Sequence, residues 1–189
     1  MHRHLPLCLS VLLLIAFRVI GAAYPMALPN FQPLAALFFC GSLIAPAWRG
    51  FTLPLGIWIL TFPLGSGHPD GASLFITTLG ALTLTFFLGK WLSKKGWASM
   101  LLGSVAATLV FHLITNSAAW LADPRYAKSL VGLWQSLWTG ASGDVLPSWV
   151  FLRNLGVANL IFTGAHLLAM IRAPQIYPSL AAPQAAKSH

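Results

Sequence analysis

The sequence predicts an all-α integral membrane bundle of about six transmembrane helices, with a short interfacial helix between spans five and six. Three observations carry that prediction. Apolar runs approaching twenty residues recur along the chain, the length that crosses a hydrocarbon core of about 30 Å. Only 7% of the 189 residues are charged, against roughly 25% in a soluble domain, so a water-facing surface could not be covered. The Lys and Arg residues also concentrate in alternate connecting segments, the pattern of a multi-pass protein with a basic cytoplasmic side.

The elements follow in order. The first span is Leu5–Ala23; its basic start at Arg3 and small residues at Gly21, Ala22 and Ala23 also fit a cleavable leader. The second, Phe31–Ala47, ends at Pro46 and the turn Trp48-Arg49-Gly50. The third, Phe51–Leu64, has Pro54 in its first turn, where a missing N–H is tolerated. Both are short, which fits either a tilted pair or a partly re-entrant hairpin. After a loop containing His68 and Asp70, the fourth span covers Ala72–Trp91 and leads into a basic turn, Lys90–Trp97. The fifth is Trp97–Leu121. A long loop to Pro147 includes an amphipathic piece, Tyr126–Trp138, expected to lie at the membrane surface on Trp134 and Trp138. The sixth span is Ser148–Ile171. Residues 1–173 thus form one transmembrane domain, and the Ala-, Pro- and Gln-rich stretch 174–189 reads as a disordered tail.

Alternating the spans from a cytoplasmic N-terminus puts Arg3, Arg49, Lys90, Lys94, Lys95, Arg172 and Lys187 inside and only Arg125 and Lys128 outside. Asp70, Asp123 and Asp144, the only acids in the chain, all fall outside. An odd number of spans would put Arg172 and Lys187 on the wrong side. The expected location is therefore the bacterial inner membrane, with both termini cytoplasmic.

The formal charge of +8 does not indicate nucleic acid, because basic residues are scattered rather than gathered on one soluble face. Cys8 and Cys40 lie in apolar stretches without metal-ligand spacing, and read as packing thiols. No catalytic Ser-His-Asp order, H-E-x-x-H or phosphate-binding loop is present. The sequence thus predicts no enzyme, no cofactor and no metal site.

Polar groups within apolar spans are costly and point to function. Arg18 and Arg153, the latter beside Asn154, lie in the outer halves of their spans, where two buried arginines could hold an anionic group, or each could snorkel or bond backbone carbonyls. In the fifth span Ser104, Thr108, His112 and Asn116 repeat every four residues and share a face, continued outward by Trp120 and Asp123. His112 and Asn116 could read a ligand by hydrogen bonds or tie helices together. Asn159 and His166 share a face of the sixth span and read as structural. The loop Pro29-Asn30-Phe31-Gln32-Pro33 opens a helix on the same side and could roof a pocket with Asn30 and Gln32. In the fourth span Thr77, Ala81, Thr85 and Gly89 form a small-residue stripe for close packing, against a neighbouring helix or another subunit.

Several stretches together are similar to a known pattern. Asn30-Phe31-Gln32-Pro33-Leu34-Ala35-Ala36-Leu37-Phe38 resembles the N-F-x-P-x-x-A-L-F signature of a family of uncharacterised bacterial six-span membrane proteins. Phe111–Asn116 with Trp120, the segment Tyr126–Leu133, and Phe151-Leu152-Arg153-Asn154 match it further, covering residues 10 to 170. That family is in turn similar to the substrate-binding subunits of energy-coupling-factor vitamin transporters. The resemblance implies a six-helix bundle with a substrate pocket near its outer face, roofed by the loop between spans one and two, and a coupling membrane subunit with ATPases as partner. The chain departs from the pattern at Ala16-Phe17-Arg18-Val19-Ile20, where those subunits often carry an A-x-x-x-A docking motif.

The expected function is accordingly a membrane transport protein. It would be a substrate-binding subunit whose outward-facing pocket takes a small, anionic metabolite through Arg18, Asn30, Gln32, His112, Asn116, Trp120, Arg153 and Asn154. The alternative is a non-transport structural or assembly subunit of the membrane, in which those polar residues only tie helices together.

Overall fold

The computed structural model describes residues 12–13, 16–17, 19–21, 24, 26–44, 47–61 and 71–172. Among these residues the regular secondary structure is all helix, without strands. After helical residues between positions 12 and 21 come α1 (Leu34–Ile44), α2 (Ala47–Thr61), α3 (Gly71–Leu92), α4 (Trp97–Ala122), α5 (Leu130–Trp138) and α6 (Ser148–Arg172). Arg18, His68, Asp70, most of the first expected span and the 174–189 tail lie outside the described residues.

The shortest of the long apolar runs, α1, sits at the centre. Its residues from Leu34 to Gly41 are all buried, because α2, α3, α4 and α6 all pack against it. A helix apolar on every side belongs in such a position. With 11 residues it is about 16 Å long at 1.5 Å per residue. That is half a hydrocarbon core, and shorter than the expected Phe31–Ala47. Residues 31–33 are non-helical: Asn30 takes a left-handed backbone (φ 59°), and Pro33 precedes the helix.

α2 begins at Ala47 rather than at the expected Phe51, which puts Pro54 inside the helix instead of in its first turn. A proline has no N–H for the carbonyl four residues back, so Gly50 loses its helical donor. The Gly50 carbonyl oxygen occupies the space that a Cβ on Gly41 would need. The short helices α1 and α2 are thereby drawn together. At its far end α2 meets α3 through Trp58 stacked on Phe75, with ring centroids 4.6 Å apart.

α3 follows expectation in position and packing. Ala81, Thr85 and Gly89 of the small-residue stripe are buried, while Thr77 is half-buried. The neighbour is α1 of the same chain: the Phe39 carbonyl lies where a Gly89 side chain would be. α4 pairs with α3 through the turn 93–96, and its other side faces α6. Phe17 joins the N-terminal helical residues to the rest, packing edge-on to Phe162 of α6 (5.1 Å) and near Phe31 (6.1 Å).

The expected interfacial piece is confirmed as a helix but is shorter, Leu130–Trp138. Ser129 caps it by accepting a hydrogen bond from the Gly132 N–H (3.2 Å). Gly132 and Ser136 face inward, while Leu130, Val131, Trp134 and Trp138 are exposed.

By length and composition, two described helices could cross a membrane, Ser73–Leu92 and Trp97–Ala122. α6 has 25 residues, but they include Arg153, Asn154, Asn159 and His166. α1 and α2 are too short.

Candidate binding site

Most of the sequence-predicted site residues gather at the end of the bundle that carries the segments 24–33 and 123–147. On α4, His112 and Asn116 are one turn apart and in contact. His112 Nε2 lies 2.8 Å from the Leu137 carbonyl, and Nδ1 lies 3.0 Å from Asn116 Nδ2. A carbonyl only accepts, so Nε2 carries the proton and Nδ1 accepts from Asn116. Asn116 Nδ2 also donates to the His112 carbonyl at 2.9 Å. The pair latches α4 to the end of α5.

Trp120, one turn further on, donates from Nε1 to the Ala127 carbonyl (2.8 Å). Lys128 Nζ reaches back to the carbonyls of Trp120 and Asp123. These carbonyls include groups that the end of α4 leaves without helical donors.

Arg125 organises the rest of this segment. Its guanidinium donates to both carboxylate oxygens of Asp123 and, at 2.7 Å, to Asp144. The side-chain hydrogen bond from Arg125, with its N–H second, holds the Asp123 carboxyl below the usual aspartate value. The two aspartates push the Arg125 value up. Asp144 also accepts from the Ala141 N–H (3.0 Å), which fixes the far side of the loop. Tyr126 is buried beneath it, and burial raises its phenol above the ordinary value.

Asn154 and Arg153 differ sharply. Asn154 is buried and donates to the Pro29 carbonyl at 2.9 Å, so it pins the 29–33 loop to α6. Within that loop Gln32 Nε2 donates to Asn30 Oδ1 (2.9 Å). Arg153 takes the snorkelling alternative rather than that of a buried cation: its side chain is exposed. It lies over the Trp149 ring, 5.2 Å from the centroid, and donates from Nε to Asn154 Oδ1 (3.1 Å). The long arginine stem lets the charge reach the surface while the helix stays packed.

A second polar group lies deeper, where fewer residues stand out in the sequence. Asn159 of α6 is fully buried and donates to Thr108 Oγ1 of α4 at 2.7 Å. Thr108 in turn donates to the Ser104 carbonyl (2.9 Å). One turn along α6, buried Thr163 lies 3.9 Å from the Cys40 thiol of α1. Asn159 Oδ1 and His166 Nε2 are buried without a hydrogen-bond partner among the described residues. Thr163 was not singled out from the sequence; its spacing of four from Asn159 and three from His166 was the available signal. Among the described residues no three His, Cys, Asp or Glu side chains come close enough to hold a metal ion.

A model for a family of unknown function, DUF6580, matches residues 1–180. The chain belongs to that family. No curated protein and no solved structure matches it. The family match covers α1 to α6 and both polar groups, so the whole architecture described above lies within its limits.

Proposed function

We propose that the chain is a six-span integral membrane protein of the bacterial inner membrane, with both termini cytoplasmic, acting as a substrate-binding subunit in the transport of a small metabolite. The observation that supports this most is the inverted polarity of α4. Its inward face is Met100, Gly103, Ser104, Ala107, Thr108 and His112. Its exposed face includes Leu102, Val105, Leu109 and Leu113. A helix in water turns its apolar stripe inward; here the outward face is the more apolar one, as lipid contact favours. The buried groups Asn159, Thr163 and His166 add a hydrogen-bonding interior, and the 29–33 and 123–147 segments cover one end of it. A coupling membrane subunit with ATPases would supply the energy, since no nucleotide-binding motif is present in the sequence.

The second reading, a structural or assembly subunit, draws on the satisfied bonds of His112, Asn116, Trp120 and Asn154. Each of these side chains bonds its own chain. Purification in mild detergent followed by native mass spectrometry separates the two. A retained metabolite, with uptake of that metabolite by cells expressing the chain, supports the transport reading. A stoichiometric protein complex with neither metabolite nor uptake supports the second. Arg153→Ala, at an exposed position, should keep the fold and weaken retention if the loop-covered end forms part of the pocket.

A further inference from the structure

We infer that the bundle binds a small, neutral molecule bearing N–H or O–H groups in the seam between α1, α4 and α6, with Asn159 and His166 as its recognition residues. This rests on the substrate-binding reading above and names its substrate class.

The seam is polar where the surrounding helices are apolar. Asn159 and Thr163 are both 0% exposed, and Cys40 is 1% exposed. On the facing helix Ser104 and Thr108 are equally enclosed. Asn159 spends its amide N–H on Thr108, which leaves Oδ1 as an acceptor with no partner among the described residues. His166 Nε2 is likewise buried and unbonded. Seven residues separate the two, almost two full turns, so they share a face of α6 about 10 Å apart, with Thr163 between them. A buried polar atom left without a hydrogen bond destabilises a protein by about as much as a good bond stabilises it. Two on one helix face are the feature that most needs a ligand.

The class of ligand follows from what surrounds them. The buried polar residues among the described residues are Ser, Thr, Asn and His; none is Lys, Arg, Asp or Glu. Arg153, the described arginine behind the expectation of an anionic ligand, is exposed. An ion in this seam would lose its hydration with no opposite charge among the described residues to replace it, a heavy penalty. A neutral amide, alcohol or similar donor loses less and gives Asn159 Oδ1 the hydrogen it needs.

The test uses the full chain released from native membranes in mild detergent, with native mass spectrometry and chemical identification of whatever is retained. The wild type should carry a molecule that is neutral at pH 7 and has N–H or O–H groups. Asn159→Leu and His166→Phe should each lower its occupancy about ten-fold or more. His166→Phe guards against simple misfolding, because it removes an unbonded nitrogen and should leave the melting temperature of the ligand-free protein unchanged or higher. Water alone in the seam, a retained molecule that is ionised, or retention by both variants equal to that of the wild type overturns the inference. In the last two cases the transport reading survives, with its pocket elsewhere; failure of that reading shows instead as no retained metabolite and no uptake by any form of the chain.

Discussion

His112 is a neutral side chain with a fixed tautomer, because its two nitrogens face partners of opposite kind: a carbonyl at Nε2 and an amide at Nδ1. Replacing it with Phe keeps the ring's bulk and removes both bonds. The Leu137 carbonyl at the half-buried end of α5 and the Asn116 amide then lose their partner, a destabilisation of about 1–3 kcal/mol. A drop in melting temperature in detergent, with α-helical content unchanged before the transition, is the expected outcome; an unchanged melting curve would show that the latch is not structural. Asn154→Ala should act similarly by releasing Pro29. The four-residue spacing of Ser104, Thr108, His112 and Asn116 was legible in the sequence because helix geometry alone puts such residues on one face. Their partners were not legible. Leu137 and Pro29 offer backbone carbonyls, which carry no side-chain signal, and the Thr108–Asn159 bond joins residues 51 positions apart. Arg153 left two readings open for a related reason: depth along a helix is readable from sequence, but the direction its neighbours leave open is not.

At the scale of elements, close approach between helices depends on two glycines. A Cβ at Gly89 would meet the Phe39 carbonyl, and one at Gly41 the Gly50 carbonyl. Both obstacles are backbone, so no side-chain rotation relieves them. Gly89→Ala is therefore expected to push α3 away from α1 and destabilise the bundle by about 1–3 kcal/mol or more. Gly80→Ala, whose added methyl meets nothing within 4 Å, is the matched control. Equal melting temperatures for the two variants would disprove the close-packing role. The stripe containing Gly89 stood out in the sequence because small residues at a spacing of four have few other uses in an apolar helix. The shortness of α1 did not, because the apolar run continues past its C-terminal end through Ala45-Pro46-Ala47-Trp48. The 123–147 segment gives a pH-dependent prediction. The Arg125 hydrogen bond holds the Asp123 value below its unfolded value, so this contribution is fully present above the ordinary aspartate range. It is lost as pH falls through the lowered value. Tryptophan fluorescence from this segment should shift in that acid window, and Asp123→Asn should remove the shift. A wild-type response centred near neutral pH would point to another group.

For the whole molecule, composition was enough to indicate helices in an apolar solvent, and the exposed faces of α3 and α4 agree with that. Ile76 is 69% exposed and Leu102 is 73% exposed, while Ser104, Thr108 and Asn159 are inside. A chain built this way would aggregate in water. The number of spans was less legible, because a short central helix and a polar sixth helix both blur the simple measure of an apolar run. The arrangement is instead best tested through its sidedness. Lys94 lies in the exposed turn at one end of the bundle, and Ser142 lies exposed in the segment at the other. In a background with Cys8 and Cys40 replaced by Ala, a membrane-impermeant maleimide should label Ser142→Cys on intact spheroplasts. Lys94→Cys should be labelled only after the membrane is opened. The basic turn would then be cytoplasmic, in keeping with attraction of Lys90, Lys94 and Lys95 to the inner leaflet. Reversed labelling would overturn the orientation while keeping the spans. Labelling of both positions on intact spheroplasts would put the two ends of α4 on the same side and remove the six-span arrangement altogether.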